Sequence, residues 1–231
     1  MRLTSHFNDQ LPRLVLFDLD GTLLDSVPDL ALAIDRMLAA LDLPFAGETQ
    51  VRNWVGNGAP LLVKRALLGS GAVRDIDDEP DEALFEQAFA LFLHHYGQCS
   101  AEQSQLYAGV REYLDFLQTQ QVDMGLVTNK PIRFTETLLD EFDLRRYFSV
   151  VLGGDSLEEK KPHPLPLLHA MTQRGSTAEQ TLMIGDSRSD IKAAQAAGCQ
   201  VAAVTYGYNH GEPVSIYQPD FMIDDLRALM S

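Results

Sequence analysis

Long apolar runs are missing from this sequence: although 45% of its residues are hydrophobic, no stretch approaches the roughly 18 to 20 residues needed to cross a bilayer. Cysteine is scarce too. The two cysteines, Cys99 and Cys199, stand far apart and form no CxxC pair, so they read as ordinary thiols rather than a disulfide framework. Basic residues are in short supply: 18 Lys and Arg against 33 Asp and Glu give a formal charge of −15. That balance opposes nonspecific attraction to nucleic acid or to an anionic membrane. No obligate protein partner is indicated. The polar start, with no long apolar segment before Leu14, lacks the pattern of a secretory leader, so a cytoplasmic location is expected. His94, His95, His163 and His210 show no metal-ligand spacing.

What is present is a repeating pattern of short apolar runs. Residues 14–17 form one such run, ending at once in Asp18 and Asp20, and residues 122–127, 150–152, 181–184 and 201–204 form four more. Stretches of helical character separate them. Short continuous apolar runs alternating with helices predict an α/β fold, a parallel sheet covered by helices. Residues 26–106 break the rhythm with helical patterns and no convincing strand, which predicts a helical insertion after the first strand. There Leu30, Ile34, Met37, Leu38 and Leu41 repeat at helical spacing, and Val51, Val55, Leu62, Ala66 and residues 84–92 suggest further packing faces. The acidic run 75–82, containing Pro80, reads as a solvated connection.

Four motifs fall at or near the ends of the predicted strands. In Asp18-Leu19-Asp20-Gly21-Thr22, two carboxylates one residue apart can reach one reaction centre if the chain turns there, and Gly21 eases the turn. Asp18 can serve as a nucleophile that receives a phosphoryl group. Asp20 can give a proton to the leaving alkoxide and later take one from water. Ser26 and Asp29 carry a separate helix-start signature, which leaves the upstream aspartates available for chemistry. Thr128-Asn129-Lys130 follows the second apolar run, where the Thr128 hydroxyl and backbone amides could bind a phosphate oxygen. In Glu159-Lys160-Lys161-Pro162, a lysine held beside Asp18 would offset the charge of an arriving phosphate; Lys161, which directly precedes proline, is favoured for that place. Finally, Gly185-Asp186-Ser187-Arg188-Ser189-Asp190 puts Asp186 at a strand end as a hard oxygen ligand suited to magnesium. Asp190 stays ambiguous, since Ser187 and Asp190 also match a capping box. Carboxylates, a hydroxyl and an ammonium at these strand ends are what the rim of an open α/β active site requires.

DLDGTLLDS (18–26), TNK (128–130), EKKPHPLPL (159–167) and GDSRSD (185–190), together with WVGNGAP (54–60) and TYGYNHG (205–211), resemble the haloacid dehalogenase-like superfamily of phosphohydrolases, and within it the bacterial phosphoglycolate phosphatases. The resemblance extends over nearly the whole chain. It implies a Rossmann-like parallel-sheet core, residues 1–25 and 107–231, with an inserted and mobile α-helical cap, residues 26–106. It also implies Asp18 as nucleophile, Asp20 as acid/base, Thr128 as phosphate binder and Lys161 as charge stabiliser. Magnesium, the implied cofactor, would be held by side-chain oxygens of Asp18 and Asp186 and the backbone carbonyl of Asp20, with Asp190 supporting the metal shell.

The implied substrate is a small anionic phosphomonoester, 2-phosphoglycolate. Its extra carboxylate would need a second anion-binding feature, for which Arg52, Asn57, Lys64 and Lys130 are candidates. A phosphatase for another small sugar phosphate, a phosphosugar mutase and a non-catalytic phosphate-binding domain are the alternatives.

Overall fold

The computed structural model describes residue 7 and residues 10–70 and 81–230. The chain divides into two compact units, one of residues 1–25 with 106–231 and one of residues 26–105.

The first unit is built on a six-stranded sheet. Strand β1 (Leu14–Phe17) is followed by a two-residue strand β2 (Leu24–Asp25); β3 (Gln105–Leu106) stands where the chain returns from the second unit. Then come α5 (Val110–Thr119), β4 (Asp123–Val127), α6 (Ile132–Glu141), β5 (Val150–Leu152), α7 (Leu165–Arg174), β6 (Thr181–Gly185), α8 (Arg188–Ala197), β7 (Gln200–Val204) and β8 (Phe221–Ile223). The order across the main sheet is β5-β4-β1-β6-β7-β8, and every neighbouring pair is parallel. β1 lies inside the sheet, and its four residues are fully buried, as a parallel strand covered on both faces demands. Its neighbours are β4 (Phe17↔Leu126) and β6 (Phe17↔Ile184). Connections run outward in one direction through β4 and β5 and in the other through β6, β7 and β8. The carboxyl ends of β1, β4 and β6 therefore open at the topological switch point, where open α/β sheets bind their ligands.

All five strands expected from the apolar runs are present, with ends shifted by no more than one residue. The sixth, β8, adds an edge strand whose apolar run is only three residues long, too short to stand out from sequence.

The second unit is helical: α1 (Val27–Ala40), α2 (Glu48–Arg52), α3 (Ala59–Gly69) and α4 (Glu82–Cys99). Leu30, Ile34, Met37 and Leu38 of α1 are buried, and α4 turns Ala88, Phe92, Tyr96 and Cys99 inward at spacings of four, four and three, the stripe of an amphipathic helix. α1 and α4 pack directly on each other. Most of the acidic run 75–82 lies outside the described residues; of its end, Asp81 caps α4 by accepting the Leu84 N–H at 3.1 Å. Ser26 does occupy the N-cap position of α1, but its side chain makes no capping bond. Asp29 instead accepts from Gln103 N, Ser104 N and Ser104 Oγ at 2.9, 2.8 and 2.5 Å, so it fastens the end of the unit to its beginning. No helix among the described residues is long and apolar enough to cross a membrane.

Candidate active site

Asp18 is the first residue beyond β1, and its N–H continues the ladder by donating to Ile184 O at 2.9 Å. The chain then folds back sharply, with Thr22, Leu23 and Leu24 N–H groups all donating to Leu19 O. Gly21 sits at φ +87, where a Cβ would fall onto the Asp186 carboxylate. A side chain is excluded there on two grounds: the backbone is left-handed and the acid is already in the space.

Asp186 follows β6 and is almost fully buried. Thr22 Oγ1 donates to its Oδ1 at 3.0 Å and Tyr208 N to its Oδ2 at 2.6 Å. The loop after β7 therefore shapes the site. Tyr206 O–H donates to Thr22 O at 2.9 Å, the Tyr208 hydroxyl donates to Asp25, and Gly207 lies so close that a Cβ would meet Asp186. The TYGYNHG segment had pointed to the family, but nothing in its sequence assigned this task to Tyr206 and Tyr208.

Lys161 is the lysine that turns inward, while Lys160 is exposed. Its Nζ lies 2.9 Å from Asp18 Oδ1 and 2.6 Å from Asp190 Oδ1, and it donates to Val127 O at 2.5 Å. The Lys161–Pro162 peptide bond is cis, and Asn129 Nδ2 holds the Lys161 carbonyl at 2.9 Å. The other oxygen of Asp190 accepts from Ser187 N at 3.0 Å and Ser187 Oγ at 2.7 Å, which closes the capping box of α8. Asp190 thus both starts the helix and orients the lysine. Thr128, one residue past β4, is buried and pinned by its N–H to Leu152 O at 2.9 Å, and its hydroxyl oxygen accepts the Lys130 N–H at 3.3 Å.

The electrostatics are those of charge confined at high density. Burial pushes the Asp18 carboxyl up to about 6 despite the opposing charge of Lys161. Burial, then Asp190 and Asp18, raise Asp186 well above the usual carboxylate range. For Lys161 burial works against the charged form, but the carboxylates of Asp18 and Asp190 outweigh it and hold the ammonium above its ordinary value. One carboxylate oxygen from each of Asp18, Asp186 and Asp190 lies within 4.8 Å of the other two. Asp18 Oδ1 is buried, receives no well-aligned hydrogen bond and lies 2.9 Å from the Lys161 ammonium. A small dication with a preference for hard oxygen ligands fits this cluster, because it would satisfy the orphaned oxygen and offset the crowded negative charge.

Among the other expected site residues, the Asp20 side chain turns to Lys130, whose Nζ lies 3.0 and 2.9 Å from its two oxygens. Arg52, Asn57 and Lys64 belong to the helical unit, where Arg52 makes an exposed pair with Glu48 at 2.8 Å, Asn57 precedes α3 and Lys64 lies on it.

Comparison with known proteins gives the family. Residues 15–204 match the haloacid dehalogenase-like hydrolase family, and the chain belongs to that family. A phosphoglycolate phosphatase of Pseudomonas putida is 54% identical over 97% of this chain and 80% of its own length; one from Nitrosococcus oceani is 49% identical over 93% of each chain. The crystal structure of a predicted phosphoglycolate phosphatase from Haemophilus somnus superposes with a TM-score of 0.89 at 40% identity, covering 94% of this chain and 96% of that one.

Proposed function

We propose that this chain is a magnesium-dependent phosphomonoester hydrolase that converts 2-phosphoglycolate to glycolate and phosphate through an aspartyl-phosphate on Asp18. The observation that carries the chemistry is the Lys161 ammonium held between Asp18 and Asp190, beside Asp186, at the switch point of the sheet.

A carboxylate oxygen of Asp18 attacks phosphorus while the bond to the ester oxygen breaks, and Asp20, which must enter this step protonated, passes that proton to the departing alkoxide. Asp20 then takes a proton from a water whose oxygen attacks the same phosphorus. The bond to Asp18 breaks, inorganic phosphate leaves and the carboxylate is restored. Burial raises the Asp18 carboxyl to about 6 in the metal-free fold, and a dication held beside it would favour the ionised, nucleophilic form. Thr128 offers its hydroxyl to a phosphate oxygen, Lys161 offsets charge on the transferring group, and Asp190 holds Lys161 in place. Asp18, the Asp20 carbonyl and Asp186 would hold the metal, with Asp190 supporting them; when bound, magnesium supplies positive charge that offsets the phosphate and the carboxylates.

The substrate choice is supported by the names of relatives that align over most of both chains. Its second anion needs a cation or amide, and Arg52, Asn57, Lys64 and Lys130 are the candidates. The test is a kinetic panel with magnesium: 2-phosphoglycolate, ethyl phosphate, glycerol phosphates, hexose phosphates and N-acetylmuramate 6-phosphate. The highest kcat/KM is expected for 2-phosphoglycolate, and a clear preference for a sugar phosphate would overturn the substrate while leaving the Asp18 chemistry standing.

A further inference from the structure

Lys130 does something the sequence did not assign to it. Its stem leaves the loop after β4 and its ammonium reaches the loop after β1, where it lies 3.0 and 2.9 Å from the two carboxylate oxygens of Asp20. The pair is shielded: the lysine side chain is 3% exposed and that of Asp20 14%, so it is not the solvated surface ion pair that contributes little. The base of the lysine is fixed as well. Its N–H donates to Thr128 Oγ1 at 3.3 Å, and its carbonyl accepts the Gly154 N–H at 2.8 Å and the Thr135 hydroxyl at 3.4 Å. A flexible four-carbon stem gives up much rotamer freedom to stand in one place. Asp20, by contrast, lies next to Gly21 on a tight turn, and its carboxylate direction depends on what holds it.

We infer that Lys130 is a positioning residue: it fixes the Asp20 carboxylate for proton exchange with the leaving oxygen, and it does not bind the substrate's second anion. This rests on the reading of Asp20 as acid/base given above. A lysine committed to both oxygens of Asp20 would have to abandon them to meet a substrate carboxylate, which removes Lys130 from the four candidates for that role. Proton transfer matters most when the leaving alkoxide is a poor leaving group, so misplacing Asp20 should show as a dependence on the leaving group.

The experiment measures kcat/KM, which covers steps only through departure of the leaving group, for 2-phosphoglycolate, ethyl phosphate and 4-nitrophenyl phosphate. The proteins are the parent, Asp20→Asn, Lys130→Met, Lys130→Arg and the Asp20→Asn, Lys130→Met double variant. Lys130→Met should lower both alkyl esters by about 10- to 100-fold and the nitrophenyl ester by less than about threefold. Lys130→Arg should recover most of the loss, and Lys130→Met should add little once Asp20 is already asparagine. A loss confined to 2-phosphoglycolate would instead make Lys130 a substrate-carboxylate ligand. An equal loss on all three esters would make its role one of general stability, and no loss would remove it from the reaction; each overturns the inference. The asparagine variant of Asp20 separates the two layers. If it shows the alkyl-selective loss and Lys130→Met does not, the positioning role alone fails; if neither shows it, the acid/base reading of Asp20 fails and takes this inference with it.

Discussion

Asp29 in the helical unit and Asp18 in the sheet unit are both buried carboxylates, and they are treated in opposite ways. Asp29 meets two backbone N–H groups and a hydroxyl, all within 2.9 Å. Asp18 has an oxygen with no aligned donor, two further carboxylates within reach and a lysine shared with one of them. A satisfied buried acid holds a chain together. An acid crowded by others and short of donors is a local cost that the rest of the fold sustains, and such costs collect where chemistry is done.

Removing members of the crowded cluster one at a time should cost far more function than fold. Asp186→Ala takes away an oxygen ligand and should lower turnover by at least about 10³-fold while abolishing magnesium binding measured by calorimetry. Lys161→Met should cost about 10²- to 10³-fold in kcat, the usual worth of a lost charge stabiliser. Its magnesium affinity should not weaken, because the carboxylates have lost a competing cation. If Asp186→Ala bound magnesium like the parent, or if Lys161→Met bound it much more weakly, the division of labour drawn here would be wrong.

Stability should separate the two acids by sign. Asp29→Ala strands three donors at the closure of the helical unit and should destabilise the protein by about 2 to 4 kcal/mol in denaturant titrations. Asp18→Asn should do the reverse in the presence of chelator. The Asp18 carboxyl titrates near 6 in the fold against about 3.9 in an unfolded chain, so its ionised form is the one that folding disfavours. At pH 7 the metal-free parent therefore carries a penalty that the amide lacks, about 1 to 3 kcal/mol, and the advantage of Asp18→Asn should fade as pH falls from about 6 to about 4. An advantage that grew on acidification would contradict the electrostatic account.

These two acids also mark where the sequence was legible and where it was not. Asp18, Asp20, Asp186 and the five strands that carry the site were visible because burial on both faces writes a strand as a continuous apolar run, and each motif begins where its run stops. Lys161 could be favoured over Lys160 from its neighbour Pro162. Asp29 was visible only as a helix-start residue, because its partners are 74 and 75 positions away and a long-range hydrogen bond leaves no local pattern. The same is true of Tyr208, which reaches Asp186 with a backbone N–H that any non-proline residue would supply. Lys130 was legible as a cation near the site, but its bond to Asp20 spans 110 positions, and that distance hid its role.

Covalent chemistry at Asp18 is the step from which the other roles follow. Rapid mixing of the parent with radiolabelled 2-phosphoglycolate and magnesium, followed by acid quench, should trap label on the protein within the first turnover. Hydroxylamine should release that label, and peptide mapping should place it on Asp18. Asp18→Asn should carry none and release phosphate at least about 10³-fold more slowly. Label on another residue, or near-normal turnover by a sequence-verified Asp18→Asn preparation, would contradict the mechanism.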